Sequence, residues 1–135
     1  MQAGYFKRTL VQKLGIKEGA RAIFINAPEN YDKILGPLPD KLSILNELNG
    51  PLDFIQFFTK SRAELEKELP KLKQQLVSNG MIWVSWPKKS SGVETDMTED
   101  EVRRIAIPLQ LVDIKVCAVD EIWSGLKLVI RVESR

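Results

Sequence analysis

The sequence predicts an α/β fold: a three-layer, Rossmann-like open sheet, mostly parallel, with a C-terminal antiparallel hairpin. Three observations predict it. Short apolar runs rich in β-branched and aromatic residues alternate with segments of helical period, the pattern of βαβ units. The run Arg21-Ala-Ile-Phe-Ile-Asn26 is apolar throughout instead of alternating, as in a strand covered on both faces. The last two apolar runs, 113–120 and 126–132, flank a turn at Trp123-Ser-Gly125 and so pair as a hairpin.

The elements follow in order. Residues 5–14 read as a short helix, with Phe6, Leu10 and Leu14 at fourfold spacing and Gly15 as its stop. The first strand, 21–26, ends before Pro28. A short helix over 29–35 is stopped by Gly36-Pro-Leu-Pro39. Residues 42–45 form a second strand, Asn49-Gly-Pro51 a turn, and 53–59 a third strand. Ser61 and Glu64 form a capping box that opens a helix with a stripe of Leu65, Leu69, Leu72 and Leu76. Pro70 inside that stripe should kink or divide the helix, and Asn79-Gly80 should close it. The fourth strand is 81–86, with Trp83 and Trp86 on opposite faces. Residues 87–97 are polar and read as a surface loop. Thr98 and Glu101 open a last helix, with Val102, Ile105, Ala106 and Leu109 on one face.

Composition narrows the function. The 135 residues suit one α/β domain over 1–135, and 44% hydrophobic with 28% charged residues is a globular balance. A net charge of +2, with basic and acidic residues interspersed, argues against a nucleic-acid partner, which calls for a basic stripe. The single cysteine, Cys117, allows no intrachain disulfide and reads as a small buried hydrophobe. The absence of histidine excludes Ser-His and Cys-His nucleophile pairs and any histidine metal site. No apolar run approaches the ~20 residues of a membrane span, and the N-terminus lacks the order of a signal peptide, so no membrane partner and a cytoplasmic location are expected.

The alternation of strands and helices and the mixed edge left by the terminal hairpin suggest the later half of a methyltransferase-type sheet, by analogy of layout. The segments Ile82-Trp-Val-Ser-Trp-Pro-Lys-Lys-Ser-Ser91 and Val116-Cys-Ala-Val-Asp-Glu-Ile-Trp-Ser-Gly-Leu-Lys127 resemble a bacterial family of uncharacterised proteins, domain of unknown function 3052. Asn26-Ala-Pro-Glu and Gly36-Pro-Leu-Pro39 add to the resemblance, which runs from Leu14 to Val129. It implies no activity. It directs attention to the loops at Asn26, Lys88 and Trp123.

In an open α/β sheet ligands bind beyond the carboxyl ends of the parallel strands. Two such ends are the loop at Asn26 and the loop Trp86-Pro-Lys-Lys-Ser-Ser-Gly92, and they are expected to meet at one crevice. Lys88 and Lys89 would bring charge, and Ser90 and Ser91 hydrogen bonds, a set suited to an anionic small molecule. Trp86 would wall the pocket. A second reading is a degenerate S-adenosylmethionine-dependent methyltransferase relative. Glu47 stands about 20 positions beyond the first loop, where an acid often holds a ribose. That loop, Asn26-Ala-Pro-Glu-Asn30, has no glycine, and Pro28 lacks an N–H, which weighs against the cofactor. A third reading is an interaction module, self-associating or not, working through a sheet edge or Trp123. Asp120 and Glu121 read as turn-flanking acids. Thr95, Asp96, Glu99 and Asp100 read as support for the positive end of the following helix.

Overall fold

A computed structural model of the chain describes residues 8–135. Its elements are α1 (Leu10–Leu14), β1 (Arg21–Ile25), α2 (Tyr31–Leu35), β2 (Ser43–Ile44), β3 (Leu52–Phe58), α3 (Arg62–Gln74), β4 (Leu76–Pro87), α4 (Glu99–Ala106), β5 (Leu111–Ala118) and β6 (Trp123–Ile130). The six strands form one sheet in the order β2-β1-β3-β4-β6-β5. The first three ladders are parallel; β4–β6 and β6–β5 are antiparallel. The expected mostly parallel sheet with a C-terminal hairpin is the fold.

Two apolar cores sandwich the sheet. On one face Leu65, Leu69 and Leu72 of α3 and Val102, Ile105 and Ala106 of α4 pack on Ile55, Phe57, Ile82, Val84, Leu126 and Leu128. On the other, Leu10, Val11 and Leu14 of α1 and Tyr31 and Leu35 of α2 pack on Ala22, Phe54, Phe58 and Trp83. Alternate residues of β3 and β4 serve alternate faces, which is why both strands carry apolar residues for each core. Trp83 and Trp86 accordingly belong to opposite cores, and Trp83 Nε1 donates to Leu14 O at 2.9 Å, tying the end of α1 to β4.

Several boundaries differ from expectation. Residues 5–7 of the first expected helix lie outside the described residues. Within them the helix starts at Leu10, because Thr9 and Gln12 form a complete capping box there. α3 runs through Pro70 as one helix and ends at Gln74. Asn79-Gly80 closes nothing: β4 has begun at Leu76, which stays buried as part of the sheet. A close approach explains the glycine, since a Cβ on Gly80 would lie 2.7 Å from Leu76 Cδ1. The expected loop over 87–97 contains a single 3-10 turn, Lys89–Ser91, and then a stretch fastened to the head of α3. Thr95 Oγ1 donates to Lys60 O at 2.6 Å, and Arg62 N donates to Asp96 Oδ1 at 2.8 Å.

The hairpin turn also lies earlier than expected. Trp123 opens β6, and the reversal is made by residues 119–122. Asp120 organises it, accepting the backbone N–H groups of Ile122 at 2.9 Å and Trp123 at 2.7 Å. Cys117 sits half-buried on the edge strand β5. Among the described residues no helix is long and apolar enough to cross a membrane.

Candidate functional site

The parallel strands reverse their spatial order between β1 and β3: the chain steps outward to β2, then returns to the far side of β1. Loops leaving such neighbours diverge and leave a crevice above the carboxyl ends of the strands. That crevice is present. It measures about 550 Å³ and is lined by Asn26, Thr59, Lys60, Ser61, Glu64 and Trp123, with Phe58 beneath.

Each wall has a local cause. Asn26 follows β1 with φ +60° and Asn30 follows with φ +62°, so both take the left-handed conformation that glycine supplies in loops of this kind. Asparagine is among the few other residues that tolerate it. Asn26 Nδ2 donates to Phe58 O at 3.2 Å and so spans the carboxyl ends of β1 and β3. Thr59 is buried at the end of β3. Its hydroxyl donates to Glu64 Oε1 at 2.5 Å and accepts the N–H of Ser61 at 3.1 Å. Ser61 Oγ caps α3 by accepting the N–H of Glu64 at 3.2 Å. Half of the expected capping box is therefore replaced. Thr59, not Glu64, satisfies the N–H of Ser61, and the Glu64 carboxylate is turned toward the crevice. Glu64 Oε2 has no partner among the described residues. Trp123 folds over the core edge-on to Phe58, with ring centroids 5.2 Å apart at 87°, and Phe58 meets Tyr31 in the same way at 5.0 Å.

Beneath this wall runs a buried polar chain. Tyr31 Oη donates to Gln56 Oε1 at 2.5 Å, and Gln56 Nε2 donates to Ser85 Oγ at 3.1 Å. Gln56 and Ser85 are fully buried. Burial pushes the Tyr31 phenol well above its ordinary 10.0, so it stays neutral and serves as the donor to Gln56.

Lys88 and Lys89 stand at the end of β4, on the same rim as Asn26 but in a different cleft. That second cleft measures about 810 Å³ and is walled by Trp86, Lys88, Lys89 and Met97. The separation follows from the sheet. Phe58 and Trp123 belong to the core under α1 and α2, whereas Trp86 and Met97 belong to the core under α3 and α4. The second cleft also holds Glu94, Asp96, Glu99 and Asp100, of which Asp96 pairs with Arg62 and Glu99 and Asp100 pair with Arg103. Ser90 is exposed and lines neither cleft, and Ser91 Oγ is used locally, donating to Lys88 O at 2.6 Å and accepting from Val93 N at 3.2 Å. Glu47 is exposed beyond β2 and also lines neither. Trp86 walls the second cleft.

The switch-point crevice thus brings together Asn26, which was singled out from sequence, with Thr59, Ser61, Glu64 and Trp123, which were not singled out as ligand contacts. Ser61 and Glu64 were visible only as a cap. The donor set is one indole wall, hydroxyls, an ammonium and a carboxylate with a free oxygen. An indole beside hydroxyls, an ammonium and a carboxylate in one concave site is the mix of aromatic and polar groups found in small-molecule pockets.

No family model matches the chain, and no curated protein does. Solved structures match its fold. An S-adenosylmethionine-dependent methyltransferase from Aquifex aeolicus superposes with a TM-score of 0.57 at 18% identity, covering 89% of this chain and 87% of its own. Magnesium protoporphyrin IX methyltransferase from Synechocystis, solved with bound S-adenosylhomocysteine, gives 0.59 at 10% identity over 90% and 78%. Fibrillarin from Aeropyrum pernix, with natively bound S-adenosylmethionine, gives 0.59 at 12% identity over 86% and 69%.

Proposed function

We propose that this chain is a small ligand-binding domain on the methyltransferase scaffold, which takes an adenosyl ligand such as S-adenosylmethionine in the crevice between β1 and β3. The observation that carries the reading is the coincidence of the topological switch with a walled crevice whose donors suit a nucleoside. Trp123 would lie against the base, Glu64 Oε2 would accept from the ribose, and Lys60 would meet the ligand's carboxylate. Asn26 and Asn30 support the reading by giving a glycine-free loop the backbone turn that the crevice needs. When bound, S-adenosylmethionine supplies an electrophilic methyl group. The role of this chain's residues is to hold and orient the nucleoside. The proposal includes membership of the domain of unknown function 3052 family, on the segments around Lys88 and Trp123.

Titration calorimetry with S-adenosylmethionine and S-adenosylhomocysteine tests it. Saturable heat is expected from both, and Glu64→Gln should weaken binding about tenfold, the worth of a hydrogen bond to a charged acceptor. No heat from either ligand, or unchanged affinity in the variant, would count against the crevice.

A further inference from the structure

A third cleft lies at the opposite, amino-terminal rim of the parallel strands. It measures about 460 Å³, and its lining includes Lys17, Glu18, Asp53, Asn79 and Lys127. Lys127 on β6 is in direct cross-strand register with Lys115 on β5. Two like charges opposite each other on one face destabilise a sheet. Lys127 also pairs with Trp83 of β4, whose indole lies in the core under α1, so both lysines project on that side. Lys17 follows α1 and lines the same cleft.

Among the described residues none of the three lysines forms an ion pair. The two carboxylates of the lining, Glu18 and Asp53, pair with none of the three lysines. Asp53 Oδ2 accepts the N–H of Arg21 at 2.8 Å, at the β1–β3 end, and Glu18 is exposed on the turn before β1. Burial, then Lys115 and Lys17, hold the Lys127 ammonium below the ordinary lysine range. Lys17 and Lys127 line the cleft and Lys115 stands beside Lys127 on the neighbouring strand, so positive charge gathers where an anion would be favoured.

We propose that Lys17, Lys115 and Lys127 form an anion site that takes the phosphate group of a small phosphorylated molecule. A phosphate monoester brings about −1.5 to −2 charge and several acceptor oxygens, enough to answer more than one ammonium. A single carboxylate would leave the lysines repelling each other. The carboxylates of Glu18 and Asp53 on the same lining disfavour a continuing chain of phosphates, which selects a small ligand over a nucleic acid.

The test is thermal unfolding of the full chain in inorganic phosphate against sodium chloride of equal ionic strength. Phosphate should raise the midpoint in a saturable way. Lys127→Gln and Lys115→Gln should each weaken phosphate about tenfold, the loss of one charge-assisted contact. The double variant Lys88→Ala/Lys89→Ala should bind phosphate like the parent. Without phosphate, Lys115→Gln should unfold at a higher temperature than the parent, because the like-charge pair is relieved. Equal midpoints in the two salts would overturn the proposal. So would wild-type phosphate affinity in Lys127→Gln, or loss of phosphate binding in the Lys88/Lys89 variant. Adenosyl-ligand binding at the other rim should be unchanged in Lys127→Gln and Lys115→Gln, which keeps the two proposals separable.

Discussion

Tyr31 shows how one residue binds the rim to the interior. Its ring is part of the aromatic stack under the crevice, and its hydroxyl begins the chain to Gln56 and Ser85. Tyr31→Phe keeps the packing and leaves Gln56 Oε1 buried without its donor, so the variant should lose about 1–2 kcal/mol, measured by urea unfolding. A pH signature goes with it. The phenol's pKa is raised on folding, so its contribution to stability is complete below pH 10 and declines as pH rises above it, where only the unfolded chain releases the proton. The parent should therefore lose stability more steeply above pH 10 than Tyr31→Phe. None of this was legible in the sequence, where Tyr31 is one apolar residue in a short helix. Its partners are distant in the chain and meet it only through the register of β3 and β4. Glu64 was hidden differently: a capping box explained it fully, and only the competing hydroxyl of Thr59 turned its carboxylate outward.

At the scale of elements, Pro70 and Gly125 mark where local rules and packing meet. α3 runs through Pro70 because Leu65, Leu69 and Leu72 are all buried on one sheet face, and that burial outweighs the lost backbone hydrogen bond. Restoring the N–H should help: Pro70→Ala is expected to stabilise the chain by about 1 kcal/mol or more, seen as a higher thermal midpoint. Gly125 has the opposite logic. An added Cβ would lie 3.1 Å from Trp83 Cε3 and 3.4 Å from Ser85 Oγ, so Gly125→Ala should cost about 1–3 kcal/mol and disturb the end of the polar chain. Strand positions were legible to within a few residues because apolar runs and turn residues mark them directly. Element ends were less so. Asn79-Gly80 carries a helix-stop signature, yet Leu76 pairs with Leu52 and draws the chain into the sheet first. Trp123 was placed in the turn because Ser124-Gly125 looks like a reversal, whereas the Asp120 carboxylate makes the reversal earlier.

For the whole molecule, alternation of strands and helices was enough to reach the open sheet, since a parallel βαβ chain with a terminal hairpin has few other arrangements. The carboxyl rim could be named on the same ground. What sequence could not supply was the sheet face onto which each rim loop opens. Asn26 and the Lys88–Lys89 pair share the rim, yet their clefts rest on different cores. The ligand site we propose is the crevice above β1 and β3, walled by Asn26, Thr59, Glu64 and Trp123. The most direct measurement is an amide and indole NMR titration of the full chain with S-adenosylhomocysteine. Saturable shifts centred on Asn26, Ser61, Glu64 and the Trp123 indole are predicted, with the Trp86 and Lys88 signals unmoved. An unresponsive spectrum, or shifts confined to the cleft at Trp86, would contradict it.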